Sequence, residues 1–199
     1  MPARLRLIPA HDYRRERWRN GLGWTREIWT FPELAADWDW RLSIAEIERD
    51  GPFSTFDDID RELVLLHGNG VRLRFDDGEV RDVEPPHGRL RFAGERAVSG
   101  EPIDGATHDF NLMWRRDRID ADLWHRPMVG SMVLFAEPGE TWVVHVLSGQ
   151  THATNGSHRE AAAMGDTLLL SAATARARFA LDGGGEVLVI RLRSVSPEA

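Results

Sequence analysis

The chain has 199 residues, 42% hydrophobic and 29% charged, enough apolar material for one large or two small domains around a real core and too much for disorder. Basic residues number 25 against 32 acidic, a net charge of −7, which argues against a general binder of nucleic acid or anionic membrane. There is no cysteine and no lysine, so every basic side chain is an arginine. Schiff-base chemistry, an ammonium-based phosphate loop, thiolate catalysis, disulfides and cysteine-ligated zinc are thereby excluded.

Residues 1–10 alternate arginine with apolar residues and lack the apolar core of a secretory signal. No stretch approaches the roughly 20 apolar residues of a membrane span, and the expectation is a soluble, cytoplasmic protein. Period-two alternation begins with Trp24 to Thr30 and Trp38 to Ile47. In the second segment Trp38, Trp40, Leu42 and Ile44 share one face, and Arg41, Ser43, Ala45 and Ile47 share the other. Arg61 to His67, Val71 to Phe75 and Glu79 to Val83, separated by Asn69-Gly70 and Asp77-Gly78, read as a meander. Further strands are expected at Arg89 to Phe92, Asp109 to Trp114, Ser131 to Phe135, Thr141 to Leu147, Thr167 to Ser171, Ala175 to Leu181 and Glu186 to Arg193. Many short strands between Gly, Pro and Asp turns indicate an all-β sandwich or jelly roll.

Two similar β units are suggested by a weak internal repeat: Leu63-Val64-Leu65-Leu66-His67-Gly68 resembles Val144-His145-Val146-Leu147-Ser148-Gly149, and Pro86-His87-Gly88 resembles Ala163-Met164-Gly165. The expected halves are about 1–105 and about 106–199, within one unit because each half alone has a thin core. These strand-to-turn elements resemble the cupin superfamily. In its pattern Arg61 stands at the glutamate position, Ser54 and Phe56 (or Thr55 and Asp57) at the histidine positions, and Arg91 at the second-motif histidine. Guanidiniums repel a metal, so the site is expected to be metal-free and without cofactor. In the second half the matching positions are Trp142 and Leu168, and the spacing of His145, His152 and His158 fits no common zinc motif.

A longer set of residues, Trp18 to Ile28, Trp40 to Ala45, Gly51 to Phe56, Asp60-Arg61 and Asp109 to Met113, is similar to the HutD/Ves family over roughly residues 5–192, with Leu22 standing where family members often have Gly-Gly. The resemblance implies a bicupin, two jelly-roll-like β-barrel units in one chain. It also implies a connection to histidine utilisation, in which HutD members sense or buffer a pathway metabolite.

Arg61 is the leading ligand-binding candidate, because a guanidinium pointing into a barrel is a planar fork matched to a carboxylate. The plainer alternative pairs it with Asp57, Asp58 or Asp60 at the strand edge. Asn20, Ser43, Ser54 and Asn111 are candidate hydrogen-bonding partners of a bound acid, although Asn20-Gly21 also suits a turn and Ser43 and Asn111 suit local backbone bonds. Trp40 and Phe53 are candidate pocket walls, and Trp18, Trp24, Trp38 and Phe56 are read as packing.

The leading reading is a non-enzymatic binder of a small carboxylate metabolite of the urocanate or formylglutamate class, with no nucleic-acid or membrane partner and a possible homodimer. The alternative is a metal-independent cupin enzyme of the isomerase or epimerase type, using His67 or His108-Asp109. Adjacent strand residues face opposite ways, however, which disfavours the latter pair. A metal-dependent dioxygenase lacks its ligand set.

Overall fold

Period-two alternation interrupted every few residues by turn formers leaves little room for helix. In the computed structural model, which describes residues 3–195, the described chain is all-β apart from a 3-10 turn at Ala10–Asp12. Its strands are β1 (Arg4–Ile8), β2 (Arg14–Arg17), β3 (Gly23–Phe31), β4 (Trp40–Ile47), β5 (Gly51–Pro52), β6 (Ile59–His67), β7 (Val71–Phe75), β8 (Val80–Val83), β9 (Arg89–Ala93), β10 (Val98–Pro102) and β11 (Thr107–Arg115). They continue with β12 (Ile119–Ala136), β13 (Glu140–Asn155), β14 (His158–Ala163), β15 (Thr167–Ser171) and β16 (Ala177–Ser194).

The chain divides into two units, one from Arg14 to Arg118, the other joining the segment up to Tyr13 to the chain from Ile119 onward. The expected division near residue 105 moves to Arg118 because β11 lies between β4 and β6 and pairs with both. The N-terminal strand belongs with the later residues: β1 runs antiparallel to β15, Arg4 opposite Ser171 and Ile8 opposite Thr167.

The 14–118 unit has two open sheets, one ordered β2-β3-β4-β11-β6-β9 and the other β5-β10-β7-β8. The expected meander is only half realised. β7 and β8 pair across Asp77-Gly78, whereas the Asn69-Gly70 turn carries the chain out of one sheet and into the other. Gly70 makes that passage at φ 129°, with an added Cβ only 3.0 Å from the Val83 carbonyl oxygen. Ala45, Ile47, Leu63 and Leu65 from the six-stranded sheet meet Val71, Leu73, Phe75 and Val98 from the four-stranded sheet in a common core.

The other unit is one open sheet, β1-β15-β13-β16-β12, with β14 beside β13. Here the expected strands Ala175 to Leu181 and Glu186 to Arg193 fuse into the 18-residue β16. Gly183 and Gly185 do not break the strand; they allow close approach, since a Cβ on either would lie 2.0–2.1 Å from a carbonyl oxygen of β13. The core of this unit gathers Val144, Val146, Leu168, Leu170, Phe179 and Leu181. No helix among the described residues is long and apolar enough to cross a membrane.

Candidate functional site

Strand parity builds the inner face of the six-stranded sheet. On β6 the inward series is Arg61, Leu63 and Leu65; on β4 it is Arg41, Ser43 and Ala45; on β11 it is Asp109, Asn111 and Met113. The register aligns them in rows, Arg41–Met113–Arg61, Ser43–Asn111–Leu63 and Ala45–Asp109–Leu65. Toward the Arg61 end this face opens into a cavity of about 630 Å³, whose lining includes Arg41, Ser43, Phe53, Arg61, Asn111 and Met113.

Arg61 is 7% exposed and has no carboxylate partner among the described residues. Its Nη1 donates to the Ser54 carbonyl oxygen at 3.3 Å and its Nη2 to Asn111 Oδ1 at 3.2 Å. Nε is buried without an acceptor. The rings of Phe92, Phe53 and Phe56 surround the guanidinium at 5.1, 5.4 and 5.9 Å, a favourable contact for a cation but no substitute for a counter-ion. Burial, reinforced by the neighbouring Arg41 charge, lowers its pKa to about 10. The strand-edge pairing does not form because Asp60, next to Arg61 on β6, faces the other side of the sheet, where Arg91 meets it at 2.8 Å and Arg116 at 3.1 Å. Arg91 is exposed and lies over Trp114.

Asn111 is buried and locally fixed, its Nδ2 donating to the Asp109 carbonyl oxygen at 3.1 Å while its Oδ1 faces Arg61. Ser43 is buried and its hydroxyl bonds to no described residue. Ser54 is exposed and reaches Arg61 through its backbone. Asn20 lines the mouth, but its Oδ1 accepts from the Leu22 N–H at 3.0 Å in a turn that Gly21 completes at φ 72°. Phe53 is a wall, edge-on to Trp18 with centroids 6.2 Å apart.

Trp40 is not in the site. It shares the other face of β4 with Leu42 and Ile44 and stacks on Phe31 at 5.6 Å, so the parity that brings Ser43 inward turns Trp40 away. Conversely Trp18 and Phe56, read as packing, line the cavity. Arg41, Met113 and Thr25 were missed as site residues. Parity with Ser43 and Asn111 was the available signal for the first two; Thr25 depends on the pairing of β3 with β4.

Asp109 lies one row deeper, fully buried, and desolvation raises its pKa to about 7 despite a 3.1 Å bond from the Thr107 hydroxyl. Its other oxygen has no partner. His108 points to the opposite face, its ring 5.6 Å from that of His67, and burial lowers its pKa. The two residues therefore do not form an acid–base pair. Of the histidines weighed for zinc, His145 is buried against Thr167, whereas His158 meets Glu160 at 2.9 Å; His125 lies 3.5 Å from Glu186.

A family model described as HutD matches residues 10–189. A Pseudomonas putida protein described as an uncharacterized 21.2 kDa protein in the 3′ region of hutC is 41% identical over 122 residues, covering 61% of this chain and 64% of that protein. This chain thus spans a little under two thirds of that relative's length. Protein Ves of Cronobacter sakazakii is 39% identical over 133 residues, 66% of this chain and 70% of the relative. Among solved structures, HutD from Pseudomonas fluorescens SBW25, in a formate condition, superposes with a TM-score of 0.82 at 26% identity, covering 97% of this chain and all of that one.

Proposed function

This chain belongs to the HutD/Ves family, and on that premise we propose that it binds a small carboxylate metabolite in the Arg61 cavity without transforming it, as a modulator linked to histidine utilisation. In this reading the two all-β units are the two halves of a metal-free bicupin, and only the 14–118 half carries the site. The observation that carries the proposal is a buried guanidinium with no counter-ion, an unused Nε and a cavity beside it. A buried unpaired charge is costly, and an entering carboxylate removes that cost while gaining charge-assisted hydrogen bonds. Asn111 and the Ser54 carbonyl hold the fork in orientation, leaving the free Ser43 hydroxyl to meet a second polar group of the ligand. The hutC neighbourhood belongs to the Pseudomonas putida relative; it directs the choice of ligands toward acids of histidine breakdown.

Calorimetric titration of formate, urocanate and N-formylglutamate tests this. Arg61→Ala should weaken binding by on the order of 2–4 kcal/mol, and Arg61→Lys should restore only part, since one ammonium cannot copy the fork. Equal affinity of wild type and Arg61→Ala removes Arg61 from the site. Conversion of any of these acids by the wild-type protein replaces the binding role with an enzymatic one.

A further inference from the structure

Two guanidiniums share the inner face, and the second has capacity beyond its visible partner. Arg41, Met113 and Arg61 are register partners in one row across β4, β11 and β6. With strands spaced about 4.8 Å apart, the two arginine backbones stand roughly 10 Å apart with the methionine between them. All three side chains line the same cavity. Arg41 Nε donates to Glu27 Oε2 at 2.9 Å, and among the described residues no acceptor takes its two terminal nitrogens. Glu27 is itself shared, its Oε1 accepting from Arg14 Nη2 at 2.8 Å. Arg14 also meets Glu16 at 3.1 Å, but both side chains are more than half exposed, where water and salt screen the pair. Four arginines and one acid line the cavity: Arg17, Arg19 and Glu16 are exposed, whereas Arg41 and Arg61 rise from the inner face of the sheet, and the Glu27 that meets Arg41 is not part of the lining and is already divided between two partners.

We propose that Arg41 is the second anchor of the cavity and that the ligand is a short dicarboxylate, one carboxylate held by Arg61 and the other by the terminal nitrogens of Arg41. This deepens the carboxylate-binding reading and rests on it. The surface between the anchors fits such a molecule. Met113 offers a flexible apolar side chain to the methylene carbons that separate the two charges, and Ser43, one row on, presents its hydroxyl beside them. A monocarboxylate of the same length would lay its apolar end against the Arg41 guanidinium and leave those donors unsatisfied. The burial of Arg61 and, after it, the repulsion of the Arg41 charge lower the pKa of Arg61, and both are offset when each guanidinium receives its own anion.

The test compares matched pairs of acids, butyrate with succinate and pentanoate with glutarate, by calorimetry on the full chain. Wild type should bind each diacid about tenfold or more tighter than its monoacid partner, as expected for an added charge-assisted contact. Arg41→Gln should abolish that advantage by weakening each diacid about tenfold more than its monoacid partner. Arg41→Lys keeps a cation beside Glu27 but not the two-nitrogen fork, should retain an intermediate advantage, and decides the matter if the glutamine variant fails to fold. Equal weakening of both members of a pair by Arg41→Gln, or no effect on either, overturns the second-anchor assignment. If Arg61→Ala binds all four acids as wild type does, the carboxylate reading itself has failed, whatever the Arg41 variants show.

Discussion

Asp109→Asn isolates the cost of a carboxyl that the fold buries without compensation. The wild-type side chain has one oxygen bonded to the Thr107 hydroxyl and one bonded to nothing, and its cross-strand neighbours are Ala45 and Leu65. Its pKa is raised from 3.8 to about 7 by desolvation, and no charged side chain contributes. Below pH 4 both folded and unfolded chains hold the proton, and the group is neutral in the balance. Between pH 4 and 7 the folded chain keeps a proton that the unfolded chain releases, so this group lowers stability progressively as pH rises; above 7 the loss is constant. At about 1.4 kcal/mol per tenfold change in proton affinity, the full loss is about 4 kcal/mol. Asparagine has the same shape, can still accept from Thr107 and carries no charge at any of these pH values.

Urea denaturation from pH 4 to 8, followed by tryptophan fluorescence, measures this, because six of the eight tryptophans lie within residues 14–118. The stability of Asp109→Asn minus that of wild type should be near zero at pH 4 and rise to about 4 kcal/mol at pH 8. His108, whose lowered pKa acts in the opposite direction, is present in both proteins and cancels. A difference that is flat across this range, or that falls as pH rises, refutes the reasoning.

Arg61→Met removes a charge whose burial and whose neighbour Arg41, read from its pKa of about 10, cost about 3 kcal/mol, against two lost charge-assisted hydrogen bonds of about 1.5 kcal/mol each. Denaturant stability should therefore change by less than about 1 kcal/mol while binding is lost, and a destabilisation of about 3 kcal/mol or more would contradict the uncompensated-charge argument. Asn111→Ala should weaken carboxylate binding by about 1 kcal/mol, less than Arg61→Ala, because it removes a neutral acceptor that orients the fork; calorimetry with urocanate or formylglutamate decides. Gly100→Ala places a Cβ 2.8 Å from the Phe53 ring, so it should shift that wall and lower affinity with little change in melting temperature; unchanged affinity shows that Phe53 has room to yield. Elemental analysis should find no stoichiometric transition metal, and a chelator should leave the melting temperature unchanged; one equivalent of zinc, iron or nickel per chain would count against a metal-free site.

By itself the sequence determined the all-β class and much of the site, because alternation is local: Arg61 with Leu63 and Leu65, and Ser43 with Arg41 and Ala45, follow from counting by two. The same count, carried through from Ser43 and Asn111, turns Trp40 away and brings in Arg41 and Met113, a step that the reading of the sequence did not take. Tertiary structure alone decided the rest, because counter-ions and strand partners are chosen by residues far along the chain. Arg61 is without an acid because its two cross-strand neighbours are Met113 on β11 and Phe92 on β9; Arg41 is half-satisfied because β3, with its irregular register between Glu27 and Trp29, sets Glu27 beside it. The Asn69-Gly70 turn has the composition of a hairpin, yet its two strands enter different sheets, where Leu63 and Leu65 meet Val71 and Leu73 in one buried apolar core.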